Sequence, residues 1–261
     1  MHSSLPNSAS IFPHLVDDLL RLGVRPGGVL LVHASLRSLG LPESLPNRAK
    51  IAITALLEAL GAAGTLLMPA LSYASVSARQ PVFDVLRTPS CVGALPEAFR
   101  VHPGTLRSVH PTHSVSGVGP RAIELLARHE CDTTPCGVNS PFAKLPHAGG
   151  QVLFLGCGMR PNTSIHAIEE HIEPPYLYSS EVVEYQVILV DGTLSTMRVR
   201  RHGFRGWEQR YERLESLLSS PGLRKGRVLQ AECHLVEAAA MWSAALAALR
   251  QDPLYFVERS Q

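Results

Sequence analysis

Short apolar runs alternate with amphipathic segments along the first part of the chain. The runs Val29–His33, Thr65–Pro69 and Gln151–Leu155 are apolar at nearly every position, which is typical of strands buried on both faces of a sheet. Residues 13–23 and Ile51–Leu60 carry apolar side chains at helical spacing, and a glycine ends or follows each segment. This alternation predicts α/β layering.

Proline, glycine and histidine interrupt the pattern between these strands. Arg79–Ser90 contains two prolines and little periodicity, so we interpret it as a surface loop, and Cys136–Pro141 as another. Pro103–Pro120 is a longer irregular stretch rich in His, Ser and Gly, which favours a binding loop. Short helices are predicted between these loops at Gly93–Val101 and Ala122–Arg128.

The pattern changes in the last third of the chain. Glu181–Val190 and Leu194–Val199 alternate or are rich in β-branched residues, and they flank Asp191-Gly192, which predicts a β-hairpin. Helical periodicity then predicts helices at Trp207–Leu218 and Val236–Leu249.

Composition is that of a globular protein with balanced charge. Hydrophobic residues make up 45% of the 261 positions, which is enough for a substantial core. No repeat or linker divides the chain, so we expect one domain over residues 1–261 with the hairpin as an insertion. The 24 basic and 22 acidic residues nearly cancel, which argues against nucleic acid and membrane surfaces as partners.

The cysteines and the N-terminal residues indicate the cellular compartment. The five cysteines contain no Cys-x-x-Cys pair and fit neither a disulfide framework nor a zinc ribbon. Residues 1–12 lack a basic start followed by an apolar run, and Gly61 interrupts the longest apolar region. We therefore expect a soluble, cytoplasmic protein.

The segment Gly150–His171 is the most informative for chemistry. It indicates a buried strand, a glycine turn and a helix that begins near Asn162, Thr163 or Ser164, each of which can cap it. Cys157 lies in the turn, where a cysteine is more often a small apolar filler than a nucleophile.

A histidine and two glutamates follow in the first turns of that helix. Glu169 and Glu170 lie three and four positions after His166, and both spacings bring helical side chains together. A carboxylate can hold the imidazole in one tautomer, which is the arrangement of a general base. The alternative is a histidine beside acids that merely suit the helix dipole, and this segment alone does not decide between the two.

The end of the first strand carries a second candidate site. His33, Ser35, Arg37 and Ser38 follow the apolar run, at the place where α/β sheets usually bind ligands, and could receive phosphate or carbonyl oxygens. The sequence is neither a P-loop nor a dinucleotide fingerprint. A strand end with a hydrogen-bonded histidine is an equally weighted alternative.

The loop His110–Gly117 brings two imidazoles and two hydroxyls together. His110 and His113 could ligate a metal, but no third ligand stands at a familiar spacing. A metal-dependent hydrolase that also uses His166 and His171 is therefore a minority alternative, and we expect no metal cofactor.

Several separated segments resemble the aminoglycoside 3-N-acetyltransferase family. They occur in order along the chain and are Leu31–Gly40, Gly64–Pro69, Phe83-Asp84 with Thr88–Ser90 and Gly93–Leu95, Arg107–Ser114, Asn139–Pro141, Gly150–Gly156 and Asn162–His166. The similarity runs from about Leu19 to Pro174 and continues weakly to Asp252–Leu254.

The resemblance implies a three-layer α/β/α fold with a mixed sheet, and transfer of acetyl from acetyl-coenzyme A, as cosubstrate, to an antibiotic amine. It implies His166 as the base, oriented by Glu169. The oxyanion that develops during transfer needs donors, which Thr163 or the backbone amides of residues 162–164 could supply. It also implies that two loops hold coenzyme A through His33, Ser35, Leu36, Arg37, Ser38, His110, Pro111 and Ser114.

The amine acceptor is less constrained. Asp84, Glu170 and Glu173 are candidate carboxylates for a cationic substrate. Arg198–Arg205 is basic where the resemblance implies acids, so a non-aminoglycoside amine stays an alternative acceptor. The sequence leaves open whether the protein forms a homodimer.

Overall fold

A seven-stranded sheet forms the centre of the fold in the computed structural model, which describes residues 8–260. The helices are α1 (Ser8–Leu22), α2 (Arg48–Leu60), α3 (Ala94–Arg100), α4 (Ala122–Leu126), α5 (Pro141–Lys144), α6 (Ser164–Ile172) and α7 (Ala238–Gln251). The strands are β1 (Val29–Ala34), β2 (Thr65–Pro69), β3 (Val82–Asp84), β4 (Leu106–Arg107), β5 (Val115–Val118), β6 (Gln151–Leu155), β7 (Tyr178–Ile188), β8 (Leu194–His202), β9 (Trp207–Gln209), β10 (Leu223–Val228), β11 (Ala231–Glu237) and β12 (Val257–Arg259). Short 3₁₀ helices cover Leu36–Leu39, His129–Cys131 and Tyr211–Leu217.

The central sheet is mixed, in the order β10-β11-β6-β1-β2-β5-β4. β1 runs parallel to β2 and β6, with Leu31 opposite Leu67 on one side and Val152 on the other. β5 and β11 pair antiparallel with β2 and β6. The three strands predicted from apolar runs are thus the central members of the sheet.

Each face of the sheet is covered by its own helices, because alternate residues of a strand point to opposite sides. Leu31 and Val152 pack in a cluster with buried residues of α4, α6 and α7. Leu30 and Leu153 pack in another with α1, α2 and α3. The two clusters confirm the three-layer α/β/α fold.

The predicted hairpin is confirmed as β7 and β8. It does not join the central sheet, but forms a second sheet with β3, which runs parallel to β7. Phe83, Tyr185 and Val199 form part of a separate small core beneath it. The end of β8 brings His202 close to α6, with 4.8 Å between the ring centroids of His202 and His166.

Three predicted segments differ from the structure. The loop Arg79–Ser90 contains β3, the irregular stretch Pro103–Pro120 contains β4 and β5, and Trp207–Leu218 forms β9 and a 3₁₀ helix instead of an α-helix. Strands of two to four residues are too short to show a period, and β3, β5 and β9 pair with strands that lie far along the chain.

The C-terminal helix also begins later than predicted. Val236 and Glu237 belong to β11, and α7 begins at Ala238. β10 and β11 are absent from the predicted elements. β10 is an edge strand whose four middle residues are exposed and largely charged, so it lacks an apolar pattern.

Among residues 8–260, none of the helices combines the length and apolar character needed to cross a membrane. The expectation of no signal peptide rests on residues 1–12, of which 1–7 lie outside the described part of the chain.

Truncating a central strand residue should destabilise the fold strongly. Leu31 is fully buried, so Leu31→Ala should lower the free energy of unfolding by about 2–5 kcal/mol through lost burial and a cavity. Leu194 in β8 is 73% exposed, so Leu194→Ala should change the free energy of unfolding by about 0.5 kcal/mol or less. Urea unfolding followed by circular dichroism measures both, and equal effects would contradict this assignment of the core.

Candidate active site

An open cleft of about 430 Å³ lies at the N-terminal end of α6. It forms where segments that follow β2, β6 and β8 meet the loop before β5, and ligands commonly bind at such strand ends in α/β sheets. Its lining includes Tyr73, Thr112, His113, Arg160, Asn162, Thr163, His166, Arg201, His202, Phe204 and Tyr211.

The glycine turn after β6 directs the chain into α6. Gly156 has a φ of 69°, and a Cβ there would lie 2.5 Å from the Cβ of Ser38, so the turn can pass the neighbouring 3₁₀ helix only without a side chain. Of the three predicted caps, Asn162 makes the hydrogen bond, since its Oδ1 accepts from the backbone amide of Ser164 at 3.2 Å.

His166 and Glu169 contact each other as their spacing predicts. The distance from His166 Nδ1 to Glu169 Oε2 is 2.9 Å. Glu169 is fully buried, whereas the side chain of His166 is 11% exposed and lines the cleft. The carboxylate therefore reaches the solvent-facing imidazole from the protein interior.

Two phenols complete the environment of the buried carboxylate. Tyr211 donates its hydroxyl to Glu169 Oε2 at 2.9 Å, and Tyr176 donates to Oε1 at 2.7 Å. Burial, followed by the charge of Glu169, raises the pKa of both phenols well above the ordinary value, so both stay protonated donors. Sequence reasoning missed both residues, because no local spacing links them to α6.

These contacts fix the tautomer of His166. The Tyr211 hydroxyl also lies 3.0 Å from Nδ1, but its proton goes to the charged carboxylate, which is the stronger acceptor. Nδ1 then carries the proton that Glu169 accepts, which leaves the lone pair on Nε2. A neutral imidazole held this way is a proton acceptor at the cleft.

Two further histidines, His113 and His202, lie beside His166. Their ring centroids are 6.1 and 4.8 Å from that of His166. Burial lowers the pKa of both well below 6.5, so both rings are neutral near neutral pH. His202 was recognised in the sequence only as part of a basic run.

Glu170 is held by its surroundings. It accepts from the Thr134 hydroxyl at 2.5 Å and the Cys136 amide at 2.7 Å, and its Oε1 lies 2.7 Å from His202 Nε2. Burial raises the pKa of Glu170 to about 7. The side chain predicted to bind substrate therefore positions His202 in this structure.

The family of the chain follows from comparison with known proteins. The family model described as aminoglycoside 3-N-acetyltransferase matches residues 31–250. The chain belongs to this family. It is accordingly an acyltransferase, and the resemblance inferred from the ordered motifs is confirmed.

Individual members are similar over nearly their whole length. Aminoglycoside N(3)-acetyltransferase IV from Salmonella is 34% identical over 93% of this chain and 88% of its own. A solved structure of aminoglycoside acetyltransferase AAC(3)-IVa in complex with gentamicin has a TM-score of 0.80 at 30% identity, over 97% of this chain and 93% of that one. AAC-IIIb in a binary complex with CoASH has a TM-score of 0.80 at 27% identity, over 96% and 98%.

In this member of the family, a smaller cavity of about 150 Å³ adjoins the cleft. Val92, Pro161 and Thr163 line both spaces. The smaller cavity also reaches His33, which stacks on Phe154 with 5.3 Å between ring centroids. The structure thus connects the end of β1 with the side of the cleft that holds His166.

The other residues predicted to bind the cofactor near β1 follow that strand directly but line neither of the two cavities. Ser35 precedes the 3₁₀ helix Leu36–Leu39, and the Ser38 hydroxyl donates to that of Ser35 at 2.8 Å. Arg37 is exposed on this short helix, and Leu36 packs partly against the core.

The residues predicted from the second loop are buried instead. His110 Nδ1 accepts the amides of Thr112 and His113 at 3.3 and 3.0 Å, and the Pro111 carbonyl accepts from Ser72 at 2.6 Å. Ser114 donates to the Ala70 carbonyl at 2.9 Å and accepts from Arg107 at 2.8 Å. These contacts shape the loop that presents His113 to the cleft.

Thr163 lies at the wall shared by the cleft and the smaller cavity. The backbone amides of residues 163–166 already donate to Pro161 O, Asn162 Oδ1, Asn162 O and Thr163 O. The Thr163 side chain makes no capping hydrogen bond, and it lines both cavities.

Cys157 lies in the smaller cavity, and burial raises its pKa to about 12, which keeps it a thiol.

The predicted acceptor-binding acids are spread out. Asp84 lies at the end of β3 and accepts the amides of Leu86 and Arg87 at 2.9 and 2.8 Å. Glu173 is exposed at the end of α6 and, with Glu170, lines a second cleft of about 830 Å³.

The four histidines of the hydrolase alternative do not meet. His110 stacks on His129 with 4.7 Å between centroids, and exposed His171 lies near Trp242. Among the described residues, the histidines that cluster are His113, His166 and His202.

Buried neutral histidines should make the fold sensitive to acid. Burial lowers the pKa of His33 to about 3 from its ordinary 6.5. Below pH 6.5 the unfolded chain binds a proton here and the folded chain does not. The free energy of unfolding therefore falls by about 1.4 kcal/mol per pH unit for this residue as the pH decreases toward the folded-state pKa.

His33→Gln should remove this contribution and reduce the slope of stability against pH by about 1 kcal/mol per pH unit in this range. Val32→Ala is the matched control, because it removes packing beside His33 but no titrating group. Urea unfolding at a series of pH values measures the slopes, and an unchanged slope in His33→Gln would contradict the burial of a neutral imidazole.

Proposed function

We propose that this chain transfers the acetyl group of acetyl-coenzyme A directly to an amine of a small molecule, with the 3-amino group of an aminoglycoside as the favoured acceptor. The observation that carries the proposal is the locked imidazole of His166, whose Nδ1 faces Glu169 while the ring lines the cleft. The substrate classes are supported by the relatives named for aminoglycoside N(3)-acetylation and by the solved relative that holds CoASH.

The reaction needs a base because an ammonium ion has no lone pair. Once the acceptor is present as a free amine, its nitrogen attacks the thioester carbonyl and Nε2 of His166 takes the proton released from that nitrogen. The C–N bond forms, the C–S bond breaks, and the thiolate leaves with the proton returned from the imidazolium. Glu169 stabilises the imidazolium between these steps, as an orienting carboxylate does in hydrolytic triads.

The two adjoining cavities suggest how the thioester reaches His166. The narrower one runs from His33 to the wall that contains Thr163, which fits a slender pantetheine arm. Ser35, the exposed Arg37 and Ser38 follow the β1 residues that line this cavity, and their hydroxyls and guanidinium are candidates to meet phosphate oxygens. The acetyl group would then sit between Thr163 and His166.

The Thr163 hydroxyl is the donor that this geometry offers to the developing oxyanion. The backbone amides of residues 163–166 already donate within the protein, whereas the Thr163 side chain lines both cavities. A fixed donor that meets charge only in the transition state lowers the barrier without strengthening ground-state binding.

The electrostatics of the cleft permit a cationic acceptor. Arg160 and Arg201 line it, but Arg160 pairs with Glu208, and Arg201 pairs with Glu181 at 3.4 Å. The second cleft adds the exposed carboxylate of Glu173. Each arginine of the first cleft is thus paired with a glutamate that does not line it, and the carboxylate available to a polycation lies in the second cleft.

Removing the base should abolish transfer without removing cofactor binding. His166→Ala should lower kcat by about 100-fold or more, because the amine proton loses its acceptor. His171→Ala, on the exposed face of the same helix, is the matched control and should retain turnover. Thioester consumption measures transfer and calorimetry measures coenzyme A binding. The base assignment fails if His166→Ala keeps most of its turnover.

Removing the carboxylate that orients His166 should lower kcat less than removing the imidazole itself. Glu169→Gln keeps the shape but removes the charge that stabilises the imidazolium, so kcat should fall by less than in His166→Ala. Tyr211→Phe removes one hydrogen-bond donor to the same carboxylate. Its kcat should lie between that of Glu169→Gln and that of the wild type. Steady-state kinetics rank the three variants, and a Glu169→Gln enzyme as active as the wild type would exclude the orienting role.

A panel of amines tests the acceptor class. Aminoglycosides that carry or lack a free 3-amino group should differ in acetyl transfer, and mass spectrometry of the product locates the new amide. Transfer to other amines only, still dependent on His166, would keep the chemistry and reject the aminoglycoside as acceptor.

A further inference from the structure

Three imidazoles from distant parts of the chain converge in the cleft. His113 comes from the loop before β5, His166 from α6 and His202 from the end of β8. With one ring nitrogen taken from each, the three atoms lie within 4.8 Å of one another. The ring centroids of His113 and His202 are 5.3 Å apart.

One nitrogen of each ring is already held by a hydrogen-bond partner. His113 Nδ1 lies 2.9 Å from the Thr112 hydroxyl, His166 Nδ1 lies 2.9 Å from Glu169, and His202 Nε2 lies 2.7 Å from Glu170. The nitrogens left without these partners are Nε2 of His113, Nε2 of His166 and Nδ1 of His202. Two of the three rings thus have the carboxylate partner that orients metal-bound histidines.

The remaining nitrogen of His202 has an independent feature. Its Nδ1 is buried and has no hydrogen-bond partner among the described residues. An unpaired buried nitrogen is costly, and a native structure usually satisfies it with a protein group, a water molecule or an ion. The rings of His113 and His166 lie next to that of His202, with centroid distances of 5.3 and 4.8 Å.

We propose that His113, His166 and His202 form a binding site for a zinc ion, which the cleft leaves open at a fourth position. Three histidines are an established ligand set for Zn²⁺, and imidazole favours this ion over Mg²⁺ or Ca²⁺. Tetrahedral coordination at about 2.0 Å places ligand nitrogens about 3.3 Å apart, so the three rings must move closer together to bind the ion.

The ion acts as an inhibitor in this proposal. Zinc bound to His166 occupies the same Nε2 lone pair that accepts the amine proton, so the metal-bound enzyme has no base. This consequence rests on the proposed function, whereas the site itself does not. The structure therefore links acyl transfer to zinc availability through one shared atom.

Metal binding tests the site without reference to catalysis. Protein freed of metal with a chelator should bind one Zn²⁺ in competition with a chromophoric chelator. Co²⁺ should give the intense visible absorption of a tetrahedral site, without a sulfur-to-cobalt charge-transfer band, which would instead indicate the cysteines.

Variants identify the ligands. His113→Ala and His202→Ala should each weaken Zn²⁺ binding by about 100-fold, and Glu170→Gln, which keeps all three rings, by about 10-fold. His171→Ala is the control and should bind as the wild type does. Equal affinities in all variants, a sulfur band, or no binding by the wild type would overturn the site.

Inhibition is measured separately. Saturating Zn²⁺ should stop wild-type transfer, and a chelator should restore it, with thioester loss followed by absorbance because zinc binds free thiols. Full turnover by zinc-loaded protein would overturn the shared-atom claim. A protein with no transferase activity would still give the Co²⁺ spectrum, so failure of the proposed function is distinguishable from failure of the site.

Discussion

The arrangement of the site depends on one buried carboxylate. Glu169 has no contact with solvent, and three groups donate to it: His166 Nδ1 and the hydroxyls of Tyr176 and Tyr211. Burying a charge costs several kcal/mol unless hydrogen bonds compensate it, and these donors supply that compensation. The same hydrogen bonds hold the imidazole of His166 in one orientation. They therefore both compensate the buried charge of Glu169 and determine which nitrogen of His166 is free to accept a proton.

The fold brings these groups together from separate elements. β6 and the glycine turn direct α6 toward the cleft, and the antiparallel strand β11 returns the chain beside β6. The 3₁₀ helix Tyr211–Leu217 supplies the second phenol, and β8 delivers His202 from a different sheet. A three-layer core thus brings together residues that lie far apart in the sequence, such as His166 and Tyr211, which are 45 positions apart.

Local patterns predicted the parts of the site that local geometry determines. The apolar runs identified the three central strands, and the three-residue spacing placed Glu169 against His166. Tyr211 could not be found this way, because a helix was predicted there and its partner lies far along the chain. Spacing also could not tell that Glu170 turns toward Thr134 and His202, because long-range packing decides that side chain's orientation.

The most direct test of this account is the tautomer of His166, read by ¹⁵N NMR of the selectively labelled imidazole in the free enzyme. The resonances are assigned by their loss in His166→Gln. The account predicts a proton on Nδ1 and a bare Nε2 in the neutral ring, because Glu169 accepts the Nδ1 proton. A proton on Nε2 would contradict it, since the atom proposed to take the amine proton or to bind zinc would then have no lone pair.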